Sequence, residues 1–94
     1  MHRLSREVLY MRVYFITVRS ITFGQRAESV LRGSGMKCSL QRTPGWMEEQ
    51  GCGYCLRVRT DDIEPAVDLL RTAKVPFRRV YVQTWDGNVE EVRL

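Results

Sequence analysis

Apolar and polar positions change their period along the chain, and each change marks an element. Residues 12–18 (RVYFITV) are β-branched and aromatic on both parities, as expected of a central strand with both faces covered. Over residues 22–34 the period lengthens. Phe23, Ala27, Val30 and Leu31 fall at i, i+4, i+7 and i+8, one stripe of a helix. Thr22 with Gln25 supplies a capping-box pattern at its start, and Gly33 and Gly35 mark its end. Residues 36–41 (MKCSLQ) alternate, with Met36, Cys38 and Leu40 on one face; this is a half-buried strand in which Cys38 is a core filler. Residues 42–51 (RTPGWMEEQG) form a loop punctuated by Pro44, Gly45 and Gly51. Residues 53–59 (GYCLRVR) form a third strand, with Tyr54, Leu56 and Val58 on one face and Cys55, Arg57 and Arg59 on the other. A second helix spans 62–73, with Asp61 as N-cap, Pro65 in the first turn and a buried stripe of Ile63, Ala66, Val67 and Leu70. Residues 77–85 (FRRVYVQTW) form a fourth strand. Asp86-Gly87 signals a hairpin, from which residues 88–93 return as a short fifth strand.

The order β-α-β-β-α-β predicts an α+β, ferredoxin-like fold. Two helices cover one face of a four-stranded antiparallel sheet, and a C-terminal β-hairpin follows. Residues 12–94 read as one domain and residues 1–11 as an N-terminal extension. At 94 residues the core is thin, and a homodimer is a natural supplement to it. Such a fold hosts many functions and names none.

Composition narrows the classes. No apolar run approaches the ~18 residues of a membrane span, and the first ten residues, MHRLSREVLY, lack the continuous apolar run of a signal peptide. A cytoplasmic protein without membrane contact is expected. The net charge is +4, unevenly placed: residues 1–42 carry eight basic and two acidic side chains, residues 43–94 seven and nine. Such a bias suits acidic partners. The aromatic signature of RNA-binding modules is absent, so Tyr14, Phe15 and Tyr81 read as packing and nucleic acid is disfavoured.

The three cysteines, Cys38, Cys52 and Cys55, are an odd count with no leader, which argues for reduced thiols over a disulfide framework. A zinc site wants about four N or S ligands, and the chain offers one Cys pair, Cys38 and His2. No metal and no cofactor are expected, and no phosphate-binding glycine loop is present. Trp46 and Met47 read as a lid on the core, Glu48 and Glu49 as a solvated loop.

The sharpest feature is Gly51-Cys52-Gly53-Tyr54-Cys55. The glycines remove bulk around the Cys52 sulfur and allow close approach of another backbone. Arg42 lies across the same loop and Arg57 and Arg59 follow on the strand; a nearby guanidinium favours the nucleophilic thiolate. Cys55, three residues on, is spaced to attack a disulfide or persulfide on Cys52. The plain alternative is two free cysteines in a strand. A thioredoxin-type motif opens a helix, whereas this one opens a strand.

The series FITVRS, AESVL, SGMKCSLQRTP and CGYCLRV resembles the selenium/sulfur carrier-like proteins, small bacterial domains of similar length. The resemblance covers about residues 12–82. It is most specific at Thr43-Pro44, Cys52-Gly53 and Leu56-Arg57. It implies that Cys52 carries sulfur or selenium as a persulfide or selenosulfide, and Cys55, by its spacing, is expected to assist. Thr43, Pro44, Gly53 and Arg57, the matched positions, together with Arg42 across the loop, are the expected substrate site, and the resemblance implies donor and acceptor proteins that load and unload the atom. The chain departs from the family at Gly45, where an arginine is usual, and at Trp46-Met47. A reading from a different class is a non-catalytic module that binds protein or RNA through the open sheet face.

Overall fold

The computed structural model describes residues 11–45 and 53–94. The elements are β1 (Arg12–Val18), α1 (Ile21–Gly33), β2 (Lys37–Arg42), β3 (Tyr54–Thr60), α2 (Glu64–Thr72), β4 (Val80–Gln83) and β5 (Val89–Glu91). They build one antiparallel sheet in the order β2-β3-β1-β4-β5. The α+β expectation holds, with one correction: the sheet has five strands, because the returning arm of the hairpin pairs with β4 and joins it.

The strand that is apolar on both parities is the middle one. Tyr14, Ile16 and Val18 face the helices, and the core continues through Leu56 and Val58 of β3, Cys38 of β2, Ala27 and Leu31 of α1, and Ala66, Val67 and Leu70 of α2. One cluster therefore contains both helices and one sheet face. The opposite face holds a smaller cluster, Phe15 and Cys55, with Val13, Tyr81 and Val89 against it. The second helix buries the stripe its period requires: Ile63, Ala66, Val67 and Leu70 are each at most 3% exposed.

Helix ends depart from the sequence reading. Helix α1 is capped two residues earlier than its Thr22 capping-box pattern, since Ser20 is the N-cap and its Oγ accepts from Phe23 N at 3.2 Å. At its end, Gly35 N–H donates to Arg32 O and Met36 N–H to Leu31 O, with Gly35 at φ 84°. This is a Schellman closure with glycine where positive φ is needed. Helix α2 has Ile63 rather than Asp61 at its cap; Ile63 is 3% exposed and needed by the core, so Asp62 Oδ1 takes the Glu64 N–H instead, at 3.0 Å. Its end repeats the Schellman pattern, Lys74 N–H to Arg71 O and Val75 N–H to Leu70 O, with Lys74 at φ 58°. A Cβ in that region costs energy that glycine avoids. Lys74→Gly is expected to stabilise the fold by about 0.5–1 kcal/mol, read as a rise in urea midpoint.

The fourth strand is shorter than 77–85. Arg78 N–H donates to Thr17 O at 2.7 Å while Thr17 N–H donates to Arg79 O at 2.8 Å. Two residues thus face one, in the manner of a β-bulge. The Thr17 hydroxyl accepts the displaced Arg79 N–H at 3.0 Å.

The β2 edge is closed by α1. Glu28 Oε2 accepts from Leu40 N at 3.0 Å, Arg32 Nε donates to Cys38 O at 3.1 Å, and Arg32 and Glu28 pair at 3.6 Å. The helix lies close because residue 24 is glycine: a Cβ there would fall 2.6 Å from Leu40 Cδ1. An exposed edge otherwise invites pairing with other chains. Glu28→Ala is expected to cost about 1–3 kcal/mol, the range for a lost hydrogen bond to a charged group, and to raise the aggregation rate, both readable by thermal denaturation with light scattering.

Candidate functional site

The loop that carries the cysteine motif is joined at its base. Arg42 is the last residue of β2 and pairs with Tyr54, the first of β3. One step further, Thr43 N–H donates to Gly53 O at 3.1 Å. This bond continues the β2–β3 ladder past its formal end and pins the start of β3. A Cβ placed on Gly53 would meet no described atom within 4 Å, so the glycine is not required there by crowding among the described residues. The Arg42 guanidinium carbon lies 5.5 Å from the Tyr54 ring centroid, within cation–π range. The cation is thereby held beside the strand entry. Pro44 is partly buried at the loop's first turn and Gly45 is exposed.

Cys52 is the residue peptide-bonded to Gly53 and lies outside the described residues, as do residues 1–10, Trp46, Met47, Glu48, Glu49 and Gly51. The lid reading of Trp46 and Met47 falls there too.

Cys38 and Cys55 are both buried. Cys38 is 8% exposed in the main core, with its Sγ 3.9 Å from Glu28 O. Burial, then the Glu28 carboxylate, pushes its thiol above the usual value, with Arg32 opposing. Cys55 is 0% exposed. It shares a face with Arg57 and Arg59, as its alternation requires, but Phe15 beside it has made that part of the face a small core. Burial raises its thiol pKa, with Thr43 and Gln41 pulling the other way. Thr43 is itself 7% exposed, and its Oγ1 makes no well-formed hydrogen bond among the described residues. Its influence on the thiol is accordingly a matter of proximity. Both thiols are kept protonated and inaccessible in the folded state.

Arg57 is farther from the loop. It sits four residues along β3 from Gly53, about 13 Å at the usual strand rise. It pairs across the sheet with Phe15 on one side and Ser39 on the other. Lys37 stands directly opposite Arg59 on the same face. Lys37, Ser39, Arg57 and Arg59 line a shallow recess of about 180 Å³, and none of these cations makes an ion pair among the described residues. Of the arginines named beside the motif, Arg42 is at the strand entry, and Arg57 and Arg59 belong to this separate basic patch. Their neighbours Lys37 and Ser39 were not singled out; the period-2 alternation of β2 was the signal that could have found them.

Among the described residues no group of three or more His, Cys, Asp or Glu is placed to hold a metal ion, and no helix is long and apolar enough to cross a membrane. The sequence model of a family described as putative Se/S carrier protein-like matches residues 13–82, a span that runs from β1 into β4 and includes the whole cysteine motif. No curated protein and no solved structure matches the chain.

Proposed function

The chain belongs to the family described as putative Se/S carrier protein-like, and from that membership we propose that it holds sulfur or selenium on Cys52 and passes it between proteins. The observation that carries this reading is the strand entry at Gly53, pinned by Thr43, uncrowded by any described residue, and flanked by the Arg42 cation. Cys38 and Cys55 are buried thiols, which leaves Cys52 as the cysteine to which the chemistry is assigned.

The Cys52 thiolate attacks the terminal sulfur of a persulfide on a donor protein. An S–S bond forms to Cys52 as the donor's S–S bond breaks. The donor's inner sulfur leaves as a thiolate with the electron pair, and the transferred terminal sulfur arrives on Cys52 still carrying its proton. No external oxidant or reductant is consumed. A donor selenopersulfide gives a selenosulfide by the same exchange. Arg42 favours the thiolate electrostatically, while Thr43, Pro44 and Gly53 set the path of the loop. Arg57 serves as a contact to an acidic partner surface. Cys55 has a packing role in the folded state, and its attack on Cys52 requires local opening of β3. The strand order β2-β3-β1-β4 and the two helices on one face support the ferredoxin-like description of the domain. A reducing compartment, the cytoplasm, belongs to this reading because Cys52 must be unloaded as a thiolate.

Alkylation tests the assignment. Iodoacetamide applied to the native protein is expected to modify Cys52 and to spare Cys38 and Cys55 until denaturant is added. The blocked protein should then take no sulfur from a cysteine desulfurase supplied with cysteine. Loading undiminished by alkylation at Cys52 overturns the reading.

The recess of Lys37, Arg57 and Arg59 favours a second reading, a non-catalytic module for an acidic protein or RNA. On that reading, Arg57→Ala with Arg59→Ala abolishes a salt-sensitive RNA gel shift, and a Cys52→Ala chain keeps its full function.

A further inference from the structure

The hairpin end of the sheet has no part in the site above. Trp85 is 98% exposed there, an unusual position for a side chain that ordinarily buries about 150–250 Å². Its tip is rigid. The Asp86 carboxylate accepts from Asn88 N at 3.1 Å, from Asn88 Nδ2 at 3.0 Å and from Thr84 Oγ1. Thr84 N–H donates to Asn88 O at 2.7 Å, and Gly87, at φ 91°, donates to Thr84 O at 2.9 Å. Burying so exposed an aromatic on a partner would remove a large apolar area from water.

Beside the tip lies a groove of about 450 Å³ lined by Met11, Arg12, Val13, Val82 and Glu90, with Trp85 at its rim. Among the described residues α1 packs over β1, β2 and β3, and α2 packs against α1; no described helix contacts β5. Arg12 and Glu90 have opposite charges in one groove, yet neither makes an ion pair among the described residues. A contact between two identical chains about a two-fold axis must be self-complementary, so one patch has to carry a projection and a recess, a cation and an anion. This patch carries all four. The opposite edge, β2, is closed to a second chain by Glu28 and Arg32.

We propose that the hairpin end is a two-fold interface between two copies of this chain, in which Trp85 of each enters the groove of the other and Arg12 of each pairs with Glu90 of the other. A buried tryptophan surrounded by a charged rim is the usual composition of an interface hot spot. Strand β1 runs from Arg12 in the groove to Val18, which pairs with Tyr54 at the loop base. Six residue steps separate these ends, about 20 Å. Each Gly53 entry therefore stays free in the dimer, and assembly does not depend on what Cys52 carries.

Sedimentation velocity over a concentration series tests this, with circular dichroism melts to confirm that each variant folds. The wild-type chain is expected to dimerise reversibly. Trp85→Ala should raise the dissociation constant by about 30-fold or more, the range of an interface hot spot. Glu90→Arg should raise it by about 10-fold through repulsion of Arg12, and Arg12→Glu combined with Glu90→Arg should restore it to within a few-fold of the wild type. A wild-type chain that stays monomeric at every concentration overturns the proposal. So does dimerisation unaffected by Trp85→Ala, or a folded double variant that fails to recover. Sulfur loading of Cys52 is read separately on the same samples, so a failure of the carrier reading leaves this test intact.

Discussion

Leu56→Ala is expected to lower the unfolding free energy by about 3–4 kcal/mol, within the range for deleting a buried leucine. Leu56 is 0% exposed and stands opposite Ile16 of β1 and Leu40 of β2. It is thus enclosed by strands on both sides and by helices above, and little around it can collapse into the space left. Ile16 is also fully buried. A domain of this length has a total stability of only about 5–14 kcal/mol, so the variant should unfold at a markedly lower urea concentration. Val13→Ala is the comparison. Val13 is partly exposed on the opposite face, and its loss should cost under about 1 kcal/mol. Equal costs at the two positions would contradict the assignment of the main core to the helix face.

Cys52→Ser is expected to reduce sulfur or selenium loading to background, and Cys55→Ala to leave it near the wild-type level. The two cysteines are separated by chemistry as well as position. A carrier must present a thiolate to a second protein, and Cys55 is fully buried with its thiol pKa raised by burial. What Cys55→Ala should lose is packing against Phe15, at about 1–2 kcal/mol for a small buried side chain. The sign of the pH effect follows from the same shift. A thiol whose folded pKa is raised stabilises the fold below its unfolded pKa, and that contribution is lost as pH rises through the higher folded value. Cys55→Ala should therefore remove part of the loss of stability seen on the alkaline side. Loading that falls with Cys55→Ala in a folded chain would assign a transfer role to that thiol.

Local signals in the sequence carried most of the fold. The two-parity apolar run placed β1 in the middle of the sheet, and the 3.6 period of α2 named its buried residues. The failures were tertiary. Ser20 and Thr22 both suit a helix cap, and only the path of the chain out of β1 selects Ser20. The shortening of β4 depends on the hydroxyl of Thr17, more than sixty residues away. Gly24 sits in an ordinary helical stretch, and its reason is the side chain of Leu40 on another element. Alternation put Cys55 on the arginine-bearing face, but its depth comes from Phe15 across the β1–β3 pair, which no local pattern contains. The candidate site is proposed from a sequence motif, Cys52-Gly53 with Thr43-Pro44. The bond from Thr43 to Gly53 that joins its halves is again a long-range pairing.

Peptide mapping by mass spectrometry, after incubation with a cysteine desulfurase and cysteine, addresses the carrier assignment at the level of the atom. The expected result is one added sulfur on the peptide bearing Cys52, removed by dithiothreitol, with Cys38 unmodified and no added mass on Cys55. Because only Gly53 and Tyr54 separate the two cysteines, they share one peptide and fragment ions must separate them. An added sulfur found on Cys55 or Cys38, or none at all on a Cys52 that alkylates freely, would contradict the account.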